Sequence, residues 1–263
     1  MKKIIFFHLL NDYSGSPKVL SQVIETVSSE GADVELFLGG KGGDGFLSSA
    51  PCVQRRYFYK RFESKYLTLL SYSLSQLILF FKLMSYRKSS TVFYVNTLLP
   101  FGAALAGKLL GIKVYYHIHE TSIRPKPLKL FLRWVVAKCS SKNIFVSHFL
   151  ANAECFPAVE SQVIYNEITQ GMARIAAHHT YHTQLSEQFS VLMICSLKAY
   201  KGVGEFIQVA SMLTHNKRLE FTLVLGAGDT EVAEYFSGIS CPGNLTIVSR
   251  CEDVVPYYQK ANV

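Results

Sequence analysis

The sequence predicts an α/β protein built on parallel β-sheets. Short apolar runs rich in Ile, Val, Phe and Tyr alternate with stretches of helical periodicity, which is typical of strand–helix–strand units whose sheet is buried on both faces. The composition agrees, because 49% of the 263 residues are hydrophobic and only 17% are charged. Gly and Pro are spread along the chain rather than clustered, which argues against a disordered or collagen-like protein.

Seven predicted strands form the first domain. They cover residues 4–10, 33–39, 54–59, 91–96, 113–119, 143–147 and 162–166. Helical patterns separate these strands, and the pattern over residues 17–31 ends in a Gly where a left-handed C-cap is expected. We therefore predict one complete, doubly wound, Rossmann-like domain over residues 1–170.

A polar stretch and a second series of strands and helices follow. Residues 171–188 lack periodicity and are predicted to be a linker. The linker contains His178, His179 and His182, but no Cys or carboxylate lies at ligand spacing, so a linker is favoured over a metal site. Strands at 189–197, 220–228 and 244–249 then alternate with helices. They predict a partial Rossmann-like domain over residues 189–263, with an open sheet edge at which a partner chain could pair.

The most apolar stretch covers residues 66–84. Tyr, Ser, Gln and Lys82 interrupt it and both flanks are basic, so a transmembrane helix is not expected. A long core helix is the favoured interpretation. A helix that lies on an anionic membrane surface remains the alternative, because its basic flanks suit lipid head groups. These flanking residues are Lys60, Arg61, Lys65, Arg87 and Lys88.

Basic residues are concentrated in the first part of the chain. Lys and Arg exceed Asp and Glu by 27 to 19 overall, and residues 1–185 hold 21 of the basic and 11 of the acidic residues. A basic face suits nucleic acid, anionic lipid or a phosphate-bearing substrate, and it can also be a merely solvated surface. No nucleic-acid recognition motif accompanies it, so nucleic acid is not an expected partner.

The cysteines and the N-terminus indicate a cytoplasmic protein. The six cysteines form no CxxC pair and several lie in apolar runs, which is typical of reduced, buried thiols. The N-terminal apolar run is short and no small-residue cleavage site follows it, so it fits a first strand better than a secretory signal.

Polar residues follow two of the first-domain strands. Gly15 and Ser16 lie after the first strand, where Gly admits close approach of a ligand, Ser can cap the next helix and the helix N-terminus attracts anions. His119 and Glu120 close the fifth strand, at the edge where open α/β sheets bind ligands. They could orient a hydroxyl group or shift a neighbouring pKa. The alternative is a His bonded within the sheet and a Glu in a loop.

The strongest local motif is the segment SLKAYKGV. A hydrophobic strand delivers lysines and a Gly to the start of a helix, so cationic side chains and helix amides meet where a diphosphate would fit. The residues concerned are Ser196, Lys198, Lys201 and Gly202. The next strand ends in Gly226-Ala227-Gly228-Asp229, but Glu231 stands where a dinucleotide-binding motif has its third Gly, which argues against an NAD enzyme.

The order of these elements resembles the retaining, metal-independent glycosyltransferases of the group-1 family (family 4), which have the GT-B fold of two facing Rossmann-like domains. The resemblance covers essentially the whole chain. Its most specific part is the Lys-Gly pair of SLKAYKGVGEFIQVA, which precedes LVLGAGDTE. The other matching pieces are the loop around Gly15, His119, VSHFLAN, VIYNEI and NLTIVSRCEDVVPYYQKANV.

The resemblance implies roles for several residues. Lys201 would clamp the donor diphosphate, while Ser196 stands where the family has an Arg and Lys198 would supply the second charge. His119 would lie near the donor sugar, with Glu120 beside it as the second candidate catalytic residue. Arg250 would flank the nucleotide base. The remaining donor-site candidates are Gly15, Ser16, Gly202, Gly226 and Gly228.

The resemblance also implies substrates and a location. The donor is expected to be a UDP-sugar, and the acceptor a glycan or lipid-linked saccharide in cell-surface polysaccharide synthesis. The enzyme is expected in the cytoplasm, peripherally at the inner face of the membrane. It is expected to need no metal and no cofactor.

The family continues after a segment like YYQKANV into a strand and two glutamates eight residues apart. We therefore expect the chain to be truncated in its second domain and weak or inactive. The alternative is a non-catalytic module that binds a membrane or a partner, or one subunit of a split transferase.

Overall fold

The protein folds into two compact units, Met1–Glu167 and Ile168–Val263, which we call the N-unit and the C-unit. The computed structural model describes residues 3–40, 44–86, 91–120, 122–168, 170–179, 188–249, 251 and 253–263. Each unit contains one parallel sheet with helices between the strands, which confirms the predicted α/β fold class.

The N-unit is built on a seven-stranded sheet of order β3-β2-β1-β4-β5-β6-β7, in which every pair is parallel. The strands are β1 (Lys3–His8), β2 (Asp33–Gly39), β3 (Val53–Tyr57), β4 (Thr91–Asn96), β5 (Lys113–Ile118), β6 (Lys142–Phe145) and β7 (Ser161–Val163). The helices are α1 (Gly15–Ser29), α2 (Lys65–Leu83), α3 (Phe101–Leu110), α4 (Lys126–Cys139) and α5 (His148–Ala153). The strand order changes direction between β1 and β4.

Two apolar cores cover the two faces of this sheet. Alternate side chains of a strand point to opposite faces, so Phe6 joins α1 in one core and Phe7 joins α2, α3 and α4 in the other. Helices α2 and α3 approach closely, because a Cβ on Gly102 would overlap the carbonyl oxygen of Gln76. The Gln76 side chain also accepts a hydrogen bond from the Gly102 amide at 3.1 Å. The missing side chain of Gly102 therefore permits the close approach of the two helices.

Helix α2 is the one described helix whose length and composition would suffice to cross a membrane. One side of it packs on the sheet through Tyr72, Leu79 and Leu83. The Tyr72 hydroxyl also donates to the Leu99 carbonyl at 2.6 Å. The helix is therefore a part of the N-unit, although only a third of its length is buried.

The C-unit carries a three-stranded parallel sheet of order β10-β9-β8. Its strands are β8 (Phe189–Cys195), β9 (Leu219–Leu225) and β10 (Leu245–Ser249), and its helices are α6 (Gln170–His178), α7 (Val203–Met212), α8 (Asp229–Phe236) and α9 (Val255–Lys260). Every residue of β8 is partly exposed. Its outer edge carries hydrogen bonds to the last two residues, from Asn262 to Ser190 and from Leu192 to Val263.

Helix α6 lies in the stretch predicted to be a linker without periodicity. Met172, Ile175 and Ala176 follow helical spacing, and with Val255 and Tyr258 of α9 they line an apolar cavity of about 220 Å³. The apolar side of α6 therefore faces a helix that is far away in the sequence. Of the three linker histidines, His178 caps its own helix by contacting the Arg174 carbonyl at 2.8 Å, and His182 lies outside the described residues.

Glu35 is a buried carboxylate in the middle of β2. Its oxygens accept hydrogen bonds from Lys3 of β1 at 2.5 Å, from Arg55 of β3 at 3.1 Å and from the Tyr86 hydroxyl. Burial opposes ionisation, but these three hydrogen bonds outweigh it and lower the pKa of Glu35 to about 2. Glu35 therefore ties three strands and the end of α2 together as a carboxylate.

Replacing Glu35 by Gln should lower the free energy of unfolding by roughly 1–3 kcal/mol at about pH 7, because three donors lose a charged acceptor. The folded pKa of about 2 lies below the ordinary 4.5, so the stabilisation is complete above 4.5 and is lost as the pH falls toward 2. Urea denaturation should show a smaller difference in the free energy of unfolding between wild type and variant at about pH 3 than at about pH 7. Glu25→Gln, on the exposed side of α1, is the matched control. An equal deficit at both pH values would contradict this account.

Candidate functional site

The change of strand direction in the N-unit brings three strand ends together. His8 ends β1, Asn96 ends β4, and His117 and His119 lie at and just beyond the end of β5. Ligands of open parallel sheets bind at such a switch point, outside the carboxyl ends of the strands. His8 and Asn96 are functional candidates that sequence reasoning missed, because His8 falls inside the predicted strand 4–10 and Asn96 is the last residue of the predicted strand 91–96.

The side chain of Asn96 connects these strand ends. It is fully buried. Its Nδ2 donates to the Ser16 carbonyl at 3.2 Å and lies 3.2 Å from His8 Nδ1, while its Oδ1 lies 2.9 Å from His119 Nε2. Because an amide oxygen only accepts, His119 Nε2 carries the proton of that bond and Nδ1 keeps its lone pair. Asn96 thus fixes both the position and the tautomer of His119.

The imidazoles of this cluster are neutral at physiological pH. Burial lowers the pKa of His119 to about 3, with the nearby His117 and His8 lowering it further. Burial likewise lowers the pKa of His8 and of His117 to about 4. The His117 ring lies 4.2 Å from the His119 ring and is fixed by the Tyr94 hydroxyl at 2.9 Å from its Nδ1. His119 can therefore exchange hydrogen bonds with a ligand hydroxyl, but it does not supply a positive charge.

Glu120, unlike these imidazoles, has a pKa near neutrality. Burial raises the pKa of its carboxyl to about 7, although the amides of His119 and Leu98 and the Thr97 hydroxyl bond to it and favour the ionised form. A carboxyl with this pKa can accept or donate a proton near neutrality. Thr97 adopts a φ of 71°, a left-handed conformation that is strained for a β-branched residue. This strained Thr, which the sequence did not indicate, brings its hydroxyl to Glu120.

The loop after β1 holds Gly15 and Ser16 at the same edge. Helix α1 begins at Gly15, with Ser14 rather than Ser16 at the N-cap position, so the predicted capping role of Ser16 is wrong. Ser16 instead lies in the first turn and binds Asn96 through its carbonyl. The space beside Gly15 is open, since a Cβ there would meet no atom within 4 Å. Gly15 therefore leaves room for a ligand.

The side chain of Asn11 connects that loop to residues 45–48. Its Oδ1 accepts from the Leu47 amide at 3.0 Å and its Nδ2 donates to the Ser48 hydroxyl at 2.9 Å. Gly45 packs so closely against Asn11 that a Cβ there would overlap the Asn11 side chain. The segment Gly45–Ser48 is thus a support of the loop that sequence reasoning did not find.

In the C-unit, the predicted anion site lies between β8 and α7. After β8 the chain makes one 3-10 turn, Ala199–Lys201, and Gly202 takes a left-handed φ of 82° before α7 begins at Val203. Buried Leu197 and Val203 anchor this turn, while Lys198 and Lys201 are exposed. The first intrahelical bond runs from the Phe206 amide to the Gly202 carbonyl, so the amides before Phe206 point out of the helix end. Two exposed cations and a helix N-terminus therefore lie in one short segment.

Glu205 also lies in the first turn of α7. Its Oε2 is 3.7 Å from where a Cβ of Gly202 would be, so its carboxylate occupies the positive end of the helix. An anionic ligand at this turn has to compete with Glu205. Sequence reasoning did not consider this carboxylate, although its place three residues after Gly202 is visible in the sequence.

The turn after β9 lies at the same edge, because Cys195 and Leu225 are paired at the ends of β8 and β9. The Gly226 amide donates to the Cys195 carbonyl at 2.9 Å. A Cβ on Gly226 would approach that carbonyl only to 3.9 Å, so packing within the C-unit does not require glycine at this position. Gly228 is the N-cap of α8 and has a φ of −74°, which any residue can adopt.

The far end of that turn is acidic. Asp229 begins α8 and accepts a hydrogen bond from the Ser249 hydroxyl at the end of β10. Arg250, the predicted contact of the nucleotide base, lies outside the described residues. Within the described residues, no group of three His, Cys, Asp or Glu side chains could hold a metal ion. The C-unit therefore has a basic turn after β8 and, after β9, a carboxylate that is bonded to a hydroxyl at the end of β10.

No protein-family model and no curated protein match the sequence. Solved structures match its fold over almost the whole chain. HepE from Anabaena, solved in complex with UDP and glucose, has a TM-score of 0.66 and 16% identity, over 97% of this chain and 71% of HepE. MurG from Acinetobacter baumannii has a TM-score of 0.56 and 16% identity, over 98% of this chain and 70% of MurG. TarM has a TM-score of 0.68 and 9% identity, over 99% of this chain and 79% of TarM.

These likenesses concern the fold, since all three identities are low. The seven-stranded sheet of the N-unit and the small parallel sheet of the C-unit match the two Rossmann-like domains of such glycosyltransferase structures. The chain therefore has an α/β, GT-B-like fold.

Proposed function

We propose that the chain is a glycosyltransferase that binds a nucleoside-diphosphate sugar, a UDP-sugar, through the C-unit. The turn between β8 and α7 carries this proposal, because exposed Lys198 and Lys201 lie in the same short segment as the first amides of α7. A diphosphate is the anion that such a turn suits best. The fold supports the choice, since HepE, which shares it, was solved with UDP and glucose.

The chemistry asked of this turn is stabilisation of a leaving group. When the bond between the anomeric carbon and the diphosphate oxygen breaks, the electron pair stays on the diphosphate. Lys198, Lys201 and the helix amides offset that charge without a metal ion or a cofactor. The acceptor hydroxyl forms the new bond to the anomeric carbon and releases its proton. We propose that the anomeric configuration is retained, on the strength of the resemblance of the sequence motifs.

The N-unit is the proposed acceptor-side domain. Glu120, with its pKa near 7, is suited to take up the proton of the acceptor hydroxyl. His119 is suited to accept a hydrogen bond from a sugar hydroxyl through Nδ1, since Nε2 is bound to Asn96. We place the reaction in the cytoplasm and assign it to cell-surface polysaccharide synthesis, with a glycan or lipid-linked saccharide as acceptor.

A second candidate function is that of one subunit in a split transferase. Strand β8 favours it, because it is an edge strand that is partly exposed at every position. A strand from a partner chain could pair there if it displaced the last two residues, which bond to Ser190 and Leu192. Hydrogen exchange would distinguish the two functions: slower exchange of β8 amides in a co-purified complex than in the isolated chain would support a subunit, and unchanged exchange would contradict it.

Replacing Lys201 by Ala should weaken UDP binding by roughly tenfold or more, because a charge-assisted hydrogen bond to the diphosphate is lost. Isothermal titration calorimetry of the purified chain with UDP measures this. Lys217→Ala, which changes another exposed lysine after α7, is the matched control and should bind UDP like the wild type. Equal affinity of the Lys201 and Lys217 variants would refute the diphosphate site.

Replacing Glu205 by Gln should tighten UDP binding by about twofold to fivefold, since it frees the positive end of α7 from a competing carboxylate. The same titration measures the change, with Glu234→Gln in α8 as a control that keeps the overall charge equal. Weaker binding in the Glu205 variant would mean that this carboxylate contacts the ligand rather than competing with it.

A further inference from the structure

Helix α2 buries polar as well as apolar residues and exposes many apolar ones. Its side toward the sheet includes polar residues, of which Ser75 and Gln76 are completely buried and Ser71 is 5% exposed. These polar groups are satisfied within the N-unit, since Ser71 accepts from the Lys60 amide and Ser75 donates to the Tyr72 carbonyl. A helix of a soluble protein normally buries its apolar stripe and exposes its polar face. The outer side of α2 therefore calls for an explanation.

That outer side is an unbroken apolar stripe. Leucines and a phenylalanine recur at intervals of three and four residues, so they lie on one face of the helix. Their exposed fractions range from 47% to 69%, at Leu67, Leu70, Leu74, Leu77 and Phe81. The neighbouring helices add Leu109 of α3 and Leu130 and Trp134 of α4, which are also more than half exposed. An apolar surface of this extent marks an interaction site.

The same three helices carry only positive charge. There are two lysines in α2, one in α3, and three lysines and one arginine in α4, seven cations in all, and none of the three helices contains Asp or Glu. Lys129 and Arg133 pair with buried Glu154. The other five are exposed: Lys65, Lys82, Lys108, Lys126 and Lys138. On the opposite face of the sheet, α1 carries Lys18 and Glu25 and is neutral.

We propose that the outer surface of α2, α3 and α4, the α2–α4 face, docks on an anionic lipid bilayer. The apolar stripe would enter the boundary between head groups and acyl chains, and the surrounding lysines would contact the lipid phosphates. A second copy of this chain does not suit this face, because a symmetric dimer would bring two sets of cations together. An anionic bilayer suits both the apolar stripe and the positive charge of this face. The proposal does not depend on sugar transfer.

The single tryptophan of the sequence, Trp134, lies on this face and is 54% exposed, so its fluorescence reports on contact there. The full chain should be mixed with phosphatidylcholine vesicles, with and without about 30 mol% phosphatidylglycerol. With the anionic vesicles we expect Trp134 emission to shift to shorter wavelength and the protein to float with the lipid, about tenfold more than with neutral vesicles. Binding should weaken as salt is added.

Two variants with matched controls test the two components. Leu70→Gln with Phe81→Gln removes apolar side chains that are 67% and 69% exposed, so folding should be unaffected; the control changes Phe149 and Met212, which are 76% and 69% exposed elsewhere. The second variant removes charge by changing three lysines to Gln, at Lys65, Lys108 and Lys126. Its control makes the same change in the C-unit, at Lys217, Arg218 and Lys260. Loss of flotation and of the fluorescence shift in both test variants, but in neither control, would support the proposal. Equal binding of neutral and anionic vesicles, or flotation unchanged in the Leu70 and Phe81 variant, would overturn it.

Discussion

The hydrogen bonds of Asn96 are the interaction on which the N-unit site depends. A buried amide has to find partners for its donors and its acceptor, because each unpaired group costs about 1–3 kcal/mol. Asn96 finds them on β1, on the first turn of α1 and beyond β5, at His8, Ser16 and His119. One side chain thereby holds three separate segments in a single arrangement. That arrangement exists because β1 and β4 are neighbours, which is where the order of the sheet changes direction.

The two units differ in the electrostatic character of their candidate sites. The N-unit cluster is shielded enough that its imidazoles are neutral and the Glu120 carboxyl titrates near 7, so it is suited to hydrogen bonds and proton transfer rather than to binding an anion. The turn after β8 is exposed and cationic, and it is therefore suited to a diphosphate. The helices of the two units also differ in their carboxylates. Glu205 and Asp229 lie at helix starts in the C-unit, whereas α2, α3 and α4 have none.

The sequence predicted most of the fold because parallel strands buried on both faces are visible as apolar runs. The predicted strands at 33–39 and 91–96 have the observed bounds, and α7 begins at the predicted Val203. Helix α6 was not predicted, since its short apolar stripe becomes meaningful only with α9 packed nearby. The interpretation of residues 66–84 as a core helix holds for one side alone. Composition could not show that α2 buries serines and a glutamine and exposes leucines.

The candidate site was only partly predictable for the same reason. His119 and Glu120 interrupt an apolar strand end, and Lys201-Gly202 joins a strand to a helix, so each stands out locally. His8 and Asn96 are 88 residues apart and meet only through the topology of the sheet. The left-handed Thr97 and the buried Glu35 likewise depend on distant partners.

The most direct test of this account is nuclear magnetic resonance of the histidine side-chain nitrogens, with His119 assigned from a His119→Asn variant. If Asn96 holds a buried, neutral imidazole, His119 will remain uncharged, with its proton on Nε2, from about pH 8 down to about pH 5, because its pKa is about 3. A His119 signal that titrates near the ordinary 6.5, or that carries its proton on Nδ1, would contradict the central role of Asn96.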